Sequence, residues 1–280
     1  MNRWLRLVRA PAALTVLGDA IAGAAASGAL WRPRTILLPL SSAAFYWAGM
    51  AINDWADRDL DAVERPERPI PAGEIAPNRA LAAGAGLTAA GLALAAAGGG
   101  RSALPAAATL AGCIWTYDLV LRSTPLAPLG MAACRGLDVL LGANGPNKHA
   151  ARGTAGLVAA HACSVTIGSA GEVRGAGRGT AAATLGLTAA VTGAVTTGRR
   201  RNPAATFAAV GYALNVGARQ AAALATPTAE AFRAATAAGI HGTIALQSAL
   251  IARSGAPKLA AAVAALQGLA SRFGKKVPVT

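Results

Sequence analysis

Apolar runs of roughly bilayer-spanning length recur along the whole chain, separated by short stretches of charge, proline or glycine. This pattern predicts spans near residues 11–30, 35–52, 79–98, 102–118, 127–144 and 153–169. Weaker runs follow near 180–198, 204–222, 235–252 and 256–272. A helix needs about 20 apolar residues to cross the hydrocarbon core, and residues 80–98 and 180–198 hold no charge at all. The last run is short and also suits a position in the interface. The expected fold is therefore all-α, a polytopic membrane helix bundle of about nine transmembrane helices, with ten as the upper count. No polar half is left over for a soluble domain, so residues 1–280 are expected to form a single membrane-embedded domain.

The first nine residues are basic and precede an apolar run, as in a secretory leader. A second span follows within a few residues, so the first run reads as span one and its basic leader stays in the cytoplasm. Loops 53–78, 118–124 and 170–179 then share the cytoplasmic face. Arg199, Arg200 and Arg201 fall on the other side, against the positive-inside tendency. The reading is a multi-pass protein of the cell's inner membrane with its active site toward the cytoplasm.

Composition agrees with the pattern: 54% of residues are hydrophobic and 14% charged, against about a quarter charged in soluble domains. The net charge of +14 would suggest nucleic acid in a soluble protein. Here the arginines stand singly or in short groups between apolar runs, with no basic stripe interleaved with aromatics, so nucleic acid is not an expected partner. Membrane lipid and phosphorylated substrates are. Cys113, Cys134 and Cys163 lie inside apolar runs without zinc-site spacing and read as small core residues.

Acidic residues are scarce, twelve in all, and Asp54, Asp57, Asp59, Asp61, Glu64, Glu67 and Glu74 follow the second span in one stretch. On a helix advancing about 100° per residue, Asn53, Asp54, Asp57 and Asp61 share one face. Carboxylates so close repel one another unless a divalent cation or basic partners neutralise them. Magnesium takes oxygen ligands and is commonly held by one or two carboxylates together with substrate phosphates, which makes a diphosphate its natural co-ligand. Arg65 and Arg68 follow, among Pro66, Pro69 and Pro71, and are placed to clamp phosphate oxygens. Asp54, Asp57 and Asp61 are the candidate metal ligands and catalytic residues.

The run Asn53-Asp54-Trp55-Ala56-Asp57-Arg58-Asp59-Leu60-Asp61, with Glu64-Arg65-Pro66-Glu67-Arg68-Pro69-Ile70-Pro71-Ala72-Gly73 after it, resembles the first aspartate-rich motif of the UbiA prenyltransferase superfamily. Tyr117-Asp118 through Arg122-Ser123-Thr124-Pro125-Leu126 is similar to that family's loop between spans four and five, and Arg9 to Thr15, with Asp19 and Gly23, to its first helix. The resemblance implies a UbiA-like bundle in which Asn53, Asp54, Asp57 and Asp61 bind a prenyl diphosphate through magnesium and Arg122 contacts the diphosphate. It implies transfer of a polyisoprenyl group from its diphosphate to an aromatic or other small acceptor by magnesium-assisted ionisation. Most members carry a second aspartate-rich motif after the sixth span. Here that place reads Ser169-Ala170-Gly171-Glu172-Val173-Arg174-Gly175, so Glu172 alone is left to bind substrate, hold a metal or act as base. The rival expectation is a catalytically altered lipid-binding or transport protein that keeps the first motif; phosphatidyltransferases using CDP-alcohols lack support, because the span before Asp54 is apolar.

Several ionisable residues are predicted at membrane depth, where they are costly and pair or face a cavity. Arg135 and Asp138 are three residues apart in the fifth span, Asp19 lies in the first, and Arg219 with Gln220 comes late. His161 is expected to be a satisfied core histidine.

Overall fold

In a computed structural model, residues 2–197 and 202–274 are described; Arg199, Arg200 and Arg201 lie outside them. The described residues form helices α1 (Arg3–Leu7), α2 (Leu14–Ser27), α3 (Leu37–Ala56), α4 (Arg58–Glu64), α5 (Pro77–Gly99), α6 (Leu104–Thr116) and α7 (Ala127–Gly142). Then follow α8 (Lys148–Ser169), α9 (Arg178–Thr196), α10 (Pro203–Tyr212), α11 (Ala218–Ala225), α12 (Ala229–Arg253) and α13 (Pro257–Gly274), with no strand among them. The long helices match the ten apolar runs, α10 and α11 together making one. Among the described residues, five stretches are long and apolar enough to cross a bilayer: Ala10–Ser27, Pro77–Ser102, Leu104–Leu121, Arg178–Thr196 and Ala229–Arg253.

Successive long helices run up and down, so their loops gather at two ends. At one end Arg32 donates to the Asn144 carbonyl (3.0 Å) and Asn202 to the Ala252 carbonyl (2.8 Å). At the other, Arg6 meets Glu74 at 2.9 Å and Arg178 reaches the Ala225 carbonyl at 3.5 Å. The first of these ends has loops with arginine and no carboxylate; the acidic stretch belongs wholly to the second.

Alanine and glycine set the packing distance, because helices in lipid gain stability from close van der Waals contact rather than from apolar burial. The limiting case is α2 against α7. A Cβ on Gly23 would lie 1.8 Å from the Val139 carbonyl oxygen, and one on Gly142 would lie 1.9 Å from that of Ala20. Each helix thus lays bare backbone on the other's backbone, and only glycine fits either position.

Two features shape the acidic end, and the second departs from the sequence reading. The basic N-terminus is packed on the bundle: Asn2 caps α1, accepting from the Trp4 amide, and Leu7 is fully buried with Ala51, Ile70, Ile75 and Ala80. The predicted continuous helix through residue 61 is also interrupted, since Asp57 has φ −89° and ψ 0° between α3 and α4. The backbone bonds Asp57 N to Asn53 O (2.9 Å) and Asp61 N to Asp57 O (2.8 Å) persist across the break, so the acidic face turns without being lost.

Candidate functional site

The acidic stretch is neutralised by arginines from three separate segments. Arg68 lies 2.6 Å from Asp61 and 3.4 Å from Asp54, while Arg65 stands 3.8 Å from Asp61. Arg9, from the turn before α2, donates to Asp54 Oδ1 at 2.8 Å, and Arg122 pairs with Asp57. Asp54 and Asp61 are 3% and 1% exposed, so unpaired charge there would cost several kcal/mol, on the order of 3–5. Asp59 instead projects to solvent beside Arg58, whose guanidinium covers the Trp55 ring at 5.0 Å.

Arg122 is positioned by a π-turn. Residues Tyr117–Leu121 insert an extra residue into the end of α6, and the Arg122 amide bonds back to the Tyr117 carbonyl at 3.0 Å. Its Nε donates to the Asp118 carbonyl at 2.7 Å, which turns the guanidinium toward Asp57. Burial at this position lowers the Arg122 pKa, and Asp54 counters that effect. Single π-turns of this kind concentrate at functional sites.

Inward of the arginines lies a cavity of about 250 Å³. It is lined by Ser42, Phe45, Tyr46, Gly49, Met50 and Asn53 of α3, by Leu110 and Ile114 of α6 and Tyr117 and Asp118 beyond it, and by Met131, Cys134, Arg135 and Asp138 of α7. Spacings of three and four residues on each helix place these side chains on one face. Val16 and Arg9 complete the wall. Of the residues predicted to bind substrate or metal, only Asn53 lines this space. Asp54, Asp57, Asp61, Arg65, Arg68 and Arg122 form a rim behind it, and Arg9 joins the two, since it lines the cavity and holds Asp54. Glu172 is not brought to the cavity; its carbonyl accepts from Arg233 at 2.6 Å, across the turn between α8 and α9.

Among the described residues, no three acidic, histidine or cysteine side chains surround a common metal position. The donor set nonetheless fits magnesium: Asn53, Asp54, Asp57 and Asp61 offer oxygen only. That ion takes one or two carboxylates with phosphate and water rather than a closed protein cage.

Of the charges at depth, Arg135 and Asp138 both face the cavity, as one of the two sequence alternatives has it, but they do not pair with each other. Arg135 bonds not with Asp138 on its own helix but with Asp19 of α2, 2.8 Å away, and with the Thr15 carbonyl at 3.0 Å. Gln247 of α12 donates to Asp19 Oδ1 at 2.6 Å. Three residues along a helix put Arg135 and Asp138 on one face without making them partners. Asp138 takes a hydrogen bond from Ser42 at 2.6 Å, and its Oδ1 has none. His161 is satisfied as expected, by Tyr212 (2.9 Å) and by the Gly239 carbonyl and Thr243 (each 3.1 Å). Gln220 donates to Ser164 at 3.2 Å, while Arg219 is exposed.

Arg9, Ser42 and the cavity itself escaped the sequence reading. The one local signal was Arg9 before Pro11, and it carried no hint of a partner 45 residues away.

The comparisons with known proteins agree with this geometry. A digeranylgeranylglyceryl phosphate synthase of Methanopyrus kandleri is 38% identical over 132 residues, 45% of this chain and 46% of that protein. The chain thus matches less than half the length of the first such relatives. A solved structure of a digeranylgeranylglyceryl phosphate synthase superposes with a TM-score of 0.71 at 19% identity, covering 91% of this chain and 98% of that one. A UbiA homolog from Archaeoglobus fulgidus, solved with DMAPP and Mg2+, gives 0.63 at 18% identity, covering 88% and 99%. Identities this low speak for the fold alone. A model of the UbiA prenyltransferase family matches residues 12–196, more than half of the chain, and this integral, multi-pass membrane protein therefore belongs to the UbiA prenyltransferase family.

Proposed function

We propose that residues 1–280 act as a single-domain, magnesium-dependent prenyltransferase of the cell's inner membrane, with its active site toward the cytoplasm. The chain would move a polyisoprenyl group from its diphosphate to a small acceptor. The observation that carries this reading is the rim: aspartates and arginines from three segments gather beside a cavity whose lining is mostly apolar. A prenyl diphosphate has the matching form, a polyanionic head on an apolar tail. The names of the relatives, and the DMAPP and Mg2+ bound by the Archaeoglobus homolog, support the same class of ligand.

Asn53, Asp54, Asp57 and Asp61 would hold the magnesium, which supplies Lewis-acid stabilisation of the departing diphosphate. The arginines now paired with those aspartates then become free for phosphate oxygens. Arg65, Arg68 and Arg122 clamp the head bidentately, and Arg9 holds it from the cavity side. Phe45, Leu110 and Ile114 keep water from the reacting carbon. Glu172 remains a candidate for binding from the α8–α9 turn once substrate is present.

The test is magnesium-dependent diphosphate release from labelled geranylgeranyl diphosphate by the purified protein, comparing wild type with Asp54→Asn and Asp57→Asn. Release that both variants abolish bears out the reading. Binding without release, across many acceptors, would make the chain a lipid-binding or transport protein instead, and no binding would overturn the diphosphate site.

A further inference from the structure

A second cavity, of about 520 Å³, lies at the end of the bundle opposite the acidic rim, where the last turns of α2, α9 and α12 meet the first turns of α8. Three polar side chains in its wall have donors to spare. Arg253 gives Nη1 to the Ala194 carbonyl (3.0 Å) and, among the described residues, pairs with no carboxylate. Asn147 stands at the N-cap of α8, yet its side chain caps nothing. Thr154, at 9% exposure, has no hydrogen-bond partner among the described residues, whereas the hydroxyls of Thr166 and Thr192 donate to carbonyls of their own helices at 3.0 and 2.8 Å. The first amides of α8 have no acceptor within the helix and carry the positive end of its dipole. The same end carries Arg32, Arg34, Arg101, Lys148 and Lys258 and, among the described residues, no carboxylate.

We propose that this cavity binds a phosphate group, with Arg253, Asn147 and Thr154 donating to its oxygens beside the N-terminus of α8. Each of these features calls for the same partner. Donors without acceptors ask for an anion rich in oxygen, a helix N-terminus favours negative charge, and a field of one sign raises the local concentration of counter-ions. A phosphate has oxygens enough for donors from two helices, and Arg253 matches it bidentately. The volume exceeds that of a bare phosphate and falls within the roughly 300–1,000 Å³ of pockets for small molecules, so the ligand is a phosphate ester. Such an ester comes either from the water at that face or from the headgroup of an anionic lipid. The site is separate from the rim, at the other end of the helices, and its existence does not depend on the transferase reading.

The test is equilibrium binding to the full chain in detergent with EDTA, using inorganic phosphate, dihexanoylphosphatidylglycerol and, as its zwitterionic counterpart, dihexanoylphosphatidylcholine. Saturable binding of inorganic phosphate at one site is expected for a ligand drawn from the water; binding of the phosphatidylglycerol alone, at least tenfold over the phosphatidylcholine, is expected for a lipid headgroup. Arg122→Gln, which disables the rim, should leave the binding in place. Arg253→Gln should weaken it at least tenfold, the effect of one lost charge-assisted hydrogen bond. Thr154→Val, nearly the same shape, should weaken it at least threefold and decides the matter where Arg253→Gln fails to fold. Meeting neither binding criterion in the wild type, or binding that Arg253→Gln leaves within twofold, would overturn the proposal.

Discussion

Arg9 holds Asp54 across 45 residues of chain, its Nη2 donating to Oδ1 at 2.8 Å, from a backbone with φ 45°. It is the one non-glycine residue with positive φ among the described residues. An arginine in that conformation is strained by about 1 kcal/mol or more. The strain is offset where the side chain does what no relaxed neighbour does: it leaves the N-terminal turn, lines the cavity and neutralises a buried carboxylate.

Arg9→Ala should therefore lower the thermal midpoint of the purified protein clearly, because removing one partner of a buried pair costs about 3–5 kcal/mol, here reduced by the second cation, Arg68. Arg9→Gly relieves the backbone but not the charge, so its midpoint should lie above that of Arg9→Ala and below wild type. A midpoint unmoved in both variants would show that Arg68 alone suffices for Asp54.

Neutralising the rim should separate ligands from bystanders. Asp54→Asn and Asp57→Asn are each expected to reduce magnesium-dependent diphosphate release by at least about 100-fold, the scale for losing a preorganised electrostatic contact. Asp59→Asn should stay within about twofold, since its side chain is 86% exposed beside Arg58 and exposed pairs contribute about 0–1 kcal/mol. Equal losses at all three positions would mean that overall negative charge, not placement, governs the site.

The α2–α7 contact supplies a test of packing. Gly142→Ala forces a methyl to 1.9 Å from the Ala20 carbonyl oxygen and should destabilise by about 1–3 kcal/mol or more, seen as a lower midpoint and poor monodispersity in detergent. Gly86→Ala on α5 meets nothing within 4 Å and should be neutral or stabilising by up to about 1 kcal/mol.

Chelation should stop turnover without melting the fold. Every aspartate of the rim already has an arginine partner, unlike the ligands of a structural zinc site, whose folding depends on the metal. The expected result is loss of diphosphate release in EDTA with the midpoint shifted by no more than about 2 °C, within what a change of a few tenths of a kcal/mol produces. A large drop would identify the ion as structural.

The helices were legible because hydrophobic run length is a local property, and the acidic face because Asn53, Asp54, Asp57 and Asp61 are close in sequence as well as in space. What stayed hidden depends on contacts between distant segments. Arg9 and Asp54, Ser42 and Asp138, and Arg135 and Asp19 each join different helices, and no periodicity in one helix predicts which neighbour its polar side chain meets. Of the two alternatives for Arg135 and Asp138, pairing or facing a cavity, both residues line the cavity and the pairing between them is not made. A spacing of three or four residues allows contact along a helix, but the Arg135 guanidinium goes instead to Asp19, which packing brings to 2.8 Å.

The bare backbone contact between α2 and α7 divides the molecule mechanically. With Gly23 and Gly142 each lodged against the opposing main chain, neither helix can slide or rotate without collision, so Asp19, Arg135 and Asp138 ride on a single rigid body. The acidic rim has no such lock. Asp57 and Asp61 stand on the short α4 and the turn before it, and are held there by the side-chain charges of Arg122, Arg65 and Arg68. Displacement of the site is therefore easier at these short elements than at the α2–α7 pair, whose backbone contact fixes its dimensions.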